Sequence, residues 1–101
     1  MGVFQILRRN EGVAIKTGEG VVEVIVRTTR GSDCYRSANF ELRGVPGRNF
    51  LHLEDNQETI QVAQGLALRI RDDKYPYSRR KVAVHFYTNY PLIIEKYPLE
   101  E

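Results

Sequence analysis

Apolar and polar residues alternate with a period of two along almost the whole chain, the pattern of strands that bury one face and wet the other. Val22, Val24 and Val26 fall on one side of a pleat, with Glu23 and Arg27 on or near the other. Val82, Val84 and Phe86 repeat this against Ala83, His85 and Tyr87. The alternation predicts strands over residues 3–8, 12–16, 21–28, 34–43, 49–54, 58–62, 65–71, 79–88 and 91–96. No stretch carries the apolar stripe of a helix. Gly, Pro, Asn and Asp mark turns at Gly18–Gly20, Arg30–Asp33, Gly44–Gly47, Asp55–Gln57, Gln64–Gly65 and Asp72–Tyr77, and the tail Tyr97–Glu101 is expected to fray. The expected fold is all-β, a small barrel or a two-sheet sandwich.

The pattern also runs twice. Phe4, Leu7 and Asn10 match Phe50, Leu53 and Asn56, and Val13 and Ile15 match Ile60 and Val62. Val22, Val24, Val26 and Arg27 match Leu66, Leu68, Ile70 and Arg71; Arg36, Ala38, Phe40 and Leu42 match Arg80, Val82, Val84 and Phe86. The offset drifts between 44 and 47 residues, so turns differ in length. The expectation is one compact domain over residues 1–101 with a possible internal repeat, 4–44 and 50–96, arranged as a pseudo-dimer in one polypeptide. Any two runs of alternating strands can be overlaid in this way, which is the competing explanation. The joint, residues 45–49, sits in Arg43-Gly44-Val45-Pro46-Gly47-Arg48, a turn and not a loose linker, so the halves should pack directly on each other.

At 101 residues and 42% hydrophobic content the chain can build one core without staples. Cys34 is its only cysteine, so no disulfide can form within the chain, and the expectation is a reducing, cytoplasmic setting. No segment reads as a secretory leader or a membrane span. The net charge of +2 demands no nucleic-acid partner, but 11 of the 15 basic residues are Arg. Its planar fork grips phosphate and stacks on bases, although arginine is also a serviceable strand-surface residue.

Catalysis finds little support, and no enzyme activity and no cofactor are expected. The chain has no phosphate loop and no nucleophile elbow, and its two histidines stand 33 positions apart without an evident Ser or Cys partner. His52 and Glu54 share a strand face beside Asp55, a conceivable ion or acid–base cluster, although a polar strand edge beside a turn is far more often just solvated. His85 is placed on a sheet surface beside Tyr87, and Cys34 reads as a small buried hydrophobe. The basic and aromatic clusters are more suggestive. Arg8-Arg9 ends the first strand; Arg27, Arg30, Tyr35 and Arg36 flank one hairpin; Lys74, Tyr75, Tyr77, Arg79, Arg80 and Lys81 flank its counterpart. Interleaved rings and guanidinium groups suit single-stranded RNA, where rings stack on bases and charge neutralises phosphate. The same residues also read as solvated loops that guard a strand edge against aggregation.

Ile6-Leu7-Arg8-Arg9, then Val13 and Ile15, Gly18-Glu19 and Val22-Glu23-Val24-Ile25-Val26 resemble the opening strands of the carbon storage regulator family. In the second half, Glu58 to Leu68 is similar to that family's hairpin, and Lys81-Val82-Ala83-Val84 with Tyr90-Pro91-Leu92-Ile93-Ile94-Glu95 to its fourth strand, turn and fifth strand. The resemblance implies intertwined β chains that bind GGA-containing messenger RNA loops and repress translation, through arginines where the first strand of one unit lies beside the fifth of the other. By position it implies RNA contacts at Arg8, Arg9 and Lys96. At the other junction Glu54 and Asp55 replace the basic pair opposite Arg48, which implies a single surviving site. The chain departs from the family in lacking its Ser/Thr before the basic pair, in the order Glu11-Gly12, in Glu95-Lys96 where arginine is expected, and in having no counterpart of its C-terminal helix.

The sequence thus favours an RNA-binding module that regulates by occlusion. Its expected contacts are Arg8, Arg9, Tyr35, Arg36, Tyr77, Arg79, Arg80 and Lys96, with no metal site and no membrane partner. The alternative is a structural or protein-interaction β domain that associates through its strand edges.

Overall fold

The computed structural model describes residues 2–17, 20–32, 35–54, 59–63, 65–70, 81–88 and 94–98. They form nine strands: β1 (Gly2–Arg8), β2 (Glu11–Thr17), β3 (Gly20–Ser32), β4 (Tyr35–Arg43), β5 (Phe50–Glu54), β6 (Ile60–Ala63), β7 (Leu66–Ile70), β8 (Lys81–Thr88) and β9 (Ile94–Pro98). These make two antiparallel sheets, one of four strands in the order β1-β8-β7-β6 and one of five in the order β5-β4-β3-β2-β9. Both sheets are open, so of the two expected all-β architectures the sandwich is the one formed.

Alternation decides which side of each strand is buried. Leu51 and Leu53 point inward on β5, Leu66, Leu68 and Ile70 on β7, and Val22, Val24 and Val26 on β3. With Leu7, Val13, Ile15, Phe40, Leu42, Val82, Val84 and Phe86 they form one core between the sheets. The strand β9 and the tail depart from expectation. Tyr97 and Pro98 do not fray: they extend β9 past residue 96, opposite Gly12 and Glu11. Residues 30–32 likewise continue β3, with Ser32 opposite Tyr35, where a turn was expected from Arg30 onward. A ladder on one or both sides satisfies these backbone groups better than solvent does.

The chain path exchanges strands between its two halves. β1 lies in the four-stranded sheet, whereas β2, β3 and β4 lie in the other; β5 joins that second sheet, and β6, β7 and β8 return to the first. Register follows the same exchange. Leu7 faces Val82 as Leu53 faces Ala38, and Val13 faces Val24 as Ile60 faces Leu68. Val24 and Val26 face Leu42 and Phe40 as Leu68 and Ile70 face Phe86 and Val84.

Two features break the correspondence. β9 covers the outer edge of β2, but no described strand covers the equivalent edge of β6. That edge is short, its register shifts between Gln61 and Ala63, and Gln61 Nε2 donates to the Ala63 carbonyl at 3.3 Å. Shortness, a bulge and a carbonyl satisfied by its own strand are the devices that protect a bare edge from foreign pairing. The other feature is the joint, where Leu42 N donates to Asn49 O at 2.7 Å and Gly44 adopts φ +83°. A Cβ on Gly44 would collide with the Val21 carbonyl oxygen, so the turn requires glycine both for its φ and for its space.

Candidate nucleic-acid interface

The turn between β1 and β2 carries the chain from one sheet to the other, and Arg8 and Arg9 are both exposed there. Such a corner needs a residue that tolerates left-handed backbone, and Asn10 supplies it with φ 63°. Its backbone N–H donates to Val26 O at 2.7 Å. Glu11 Oε1 accepts from the Arg8 backbone N–H at 2.6 Å. A bulge in β3 between Val26 and Thr28 frees Arg27 from the ladder, and its Nη1 donates to Asn10 Oδ1 at 3.0 Å.

Arg27 therefore does not belong to a free basic cluster. Its Nε and Nη2 both donate to Glu41 Oε1, at 3.2 and 3.0 Å, while Arg43 Nε donates to Glu41 Oε2 at 2.7 Å and Arg43 Nη1 lies 4.0 Å from Glu23. The hydrogen bond from Arg43, together with the bond and charge of Arg27, holds the Glu41 carboxyl below its usual range, against the opposing push of burial.

β9 reaches this corner at Pro98, and Lys96 lies two rungs further along it. Pro98 pairs with Glu11, Tyr97 with Gly12 and Lys96 with Val13, so the backbone of Lys96 runs along the strand that leaves the corner. Lys81 adds to it from the other sheet as the register partner of Arg8. The sequence groups Lys81 only with its loop neighbours, because strand order decides its placement. Tyr35 and Arg36 are not brought here. They pair with Ser32 and Gly31 near the tip of the β3–β4 hairpin, about 20 Å along β3 from Val26 at strand rise. Tyr77, Arg79 and Arg80 lie outside the described residues.

At the opposite corner Glu54 pairs with Ser37, at the rung equivalent to Arg8 and Lys81. Glu54 Oε1 lies 3.3 Å from His52 Nε2, and His52 Nδ1 lies 2.7 Å from Asn39 Oδ1. These contacts hold the His52–Glu54 pair in a surface network; Asp55 lies outside the described residues. Among the described residues no group of three or more His, Cys, Asp or Glu could hold a metal ion. No helix there is long and apolar enough to cross a membrane. Comparison with protein-family models, curated proteins and solved structures finds no match.

Proposed function

We propose that the chain is a non-enzymatic, cytoplasmic RNA-binding module, a fused pair of like β units that binds single-stranded RNA at the Arg8–Arg9 corner and acts by occluding it. The observation that carries this reading is the exposed Arg8-Arg9 pair on a corner pinned by Asn10 and Arg27, with Lys81 as the register partner of Arg8 and Lys96 further along β9, opposite Val13. A pinned corner holds its charges in place before a ligand arrives, which lowers the ordering cost of binding. The strand exchange and matched registers support the fusion. Glu54 at the equivalent rung supports one basic site and not two.

The test is titration of fluorescent single-stranded RNA across a salt series. Affinity should fall steeply with salt, and Arg8→Glu with Arg9→Glu should weaken it and flatten the salt slope by about one for each phosphate contact removed. An RNA that binds equally well to the reversed variant overturns the assignment of the corner.

A second reading, self-association or protein binding through β5, is favoured by Phe50, which is 72% exposed on the edge of the five-stranded sheet. Wild-type protein that ignores RNA at low salt and sediments as a defined oligomer, dispersed by Phe50→Ser, would establish it.

A further inference from the structure

The outer faces of the two sheets differ in a way that the strand correspondence makes visible. On the five-stranded sheet, Glu23, Glu41 and Arg43 occupy neighbouring outward positions and satisfy one another together with Arg27. The matched positions on the four-stranded sheet are Ala67, His85 and Tyr87. The carboxylates and their partner have become a small residue and two rings. His85 and Tyr87 are stacked, with ring centroids 6.0 Å apart and planes inclined by 25°, and both are partly exposed.

Arg69 is the register partner of His85 on β7. Its Nε is buried and has no hydrogen-bond partner. A shielded guanidinium nitrogen without an acceptor is uncommon and calls for an explanation, because arginine so placed normally holds a carboxylate or a carbonyl. No Asp or Glu occupies this face among the described residues: its register positions are Gly2, Phe4, Ile6 and Arg8 on β1, Lys81 to Tyr87 at alternate positions on β8, Ala67 and Arg69 on β7, and Gln61 on β6.

We infer that this face is a second contact surface for single-stranded RNA, on which the Tyr87–His85 pair stacks a base and Arg69 supplies countercharge to the adjoining phosphate. The inference rests on the RNA-binding reading and extends it from the corner. The rung of Arg8 and the rung of Tyr87 lie at opposite ends of β8, about 20 Å apart at strand rise, so one strand of RNA can follow β8 from one to the other. Charge complementarity selects the occupant: rings beside arginine on a face whose described positions carry no carboxylate suit stacked bases and phosphates.

The test compares RNAs of about 4 and about 12 nucleotides, the range of site sizes that single-strand binders show, by fluorescence anisotropy at low salt. Tyr87→Leu should weaken the longer RNA about tenfold, the effect of losing one base stack, and leave the shorter one unchanged. Arg69→Gln should lower the salt slope for the longer RNA by about one. Because a core-adjacent variant can fail to fold, the His85 and Tyr87 ring signals of the wild-type protein are followed by NMR as the longer RNA is added; they should shift. If the corner variant weakens binding while Tyr87→Leu does not, or the ring signals stay fixed, this surface is wrong and the corner stands. If wild-type protein binds neither RNA at low salt, both fall together.

Discussion

Arg27 joins two parts of the molecule that are remote in sequence: its Nη1 donates to Asn10 Oδ1 at 3.0 Å while its Nε and Nη2 hold Glu41. The side chain is three-quarters buried, with 25% of it exposed. Its planar fork serves an amide oxygen and a carboxylate at once, which an ammonium cannot reproduce.

Arg27→Lys should therefore destabilise the fold by about 1–3 kcal/mol, the range for losing hydrogen bonds to a charged group. It should also weaken RNA binding at the corner, although Arg27 is assigned no contact with RNA. Urea denaturation paired with RNA titration checks this. Unchanged RNA affinity in a variant of reduced stability would show that the corner does not need its anchor.

Acid should act through Glu41. Its carboxyl is held below its ordinary value in the folded state, so ionised Glu41 contributes stability at pH values above the unfolded carboxylate range, near 4.3. That contribution is lost as pH falls through the lower, folded value. The urea midpoint should decline below about pH 4, and Glu41→Gln should be less stable at neutral pH with a shallower decline. A decline of the same depth in the variant assigns acid sensitivity to other groups.

Gly44→Ala should cost more than about 1 kcal/mol, because alanine meets both an unfavourable φ and the Val21 carbonyl. Gly47→Ala is the informative comparison: Gly47 shares the positive φ, at +77°, but a Cβ there meets nothing. The Gly47 variant should be the milder of the two in thermal melts; equal losses would show that φ alone matters.

The exchanged strands make the halves interdependent. A fragment of residues 1–48 leaves β1 without β8, and residues 49–101 leave β5 without β4. Neither fragment should be a folded monomer, and mixing them should restore a cooperative melt. A folded monomer of either half, seen by sedimentation and circular dichroism, would contradict the exchange.

Much of the fold was legible in the sequence because alternation is local. Each of the nine expected strands overlaps a described one, residues 34, 58, 71, 79–80 and 91–93 lying outside the described residues, and the inward residues of β3 and β8 are the ones the pleat indicated. The ends of β3 and β9 were not, since Arg30 opens a turn-rich stretch and Tyr97 stands beside a proline, and these ends are extended by their partners Ser37, Gly12 and Glu11. The candidate site was legible only in part. A pair such as Arg8-Arg9 is visible in any sequence, but the pairing of Arg8 with Lys81, the capture of Arg27 by Glu41 and the distance of Tyr35 from the corner depend on strand order. Alternation does not encode that order. The Arg69, His85 and Tyr87 face escaped for the same reason: its residues meet only across a ladder.

The exchange of first strands inside a single chain has a consequence for how the protein can vary. In an assembly of two identical chains every substitution appears twice, and completing each sheet depends on how many chains are present. Here β1 finds β8 and β5 finds β4 by folding alone, at any dilution. A change at one corner is not copied to the other: Arg8 stands opposite Lys81 at one, and Glu54 opposite Ser37 at the other. The molecule is free to be lopsided.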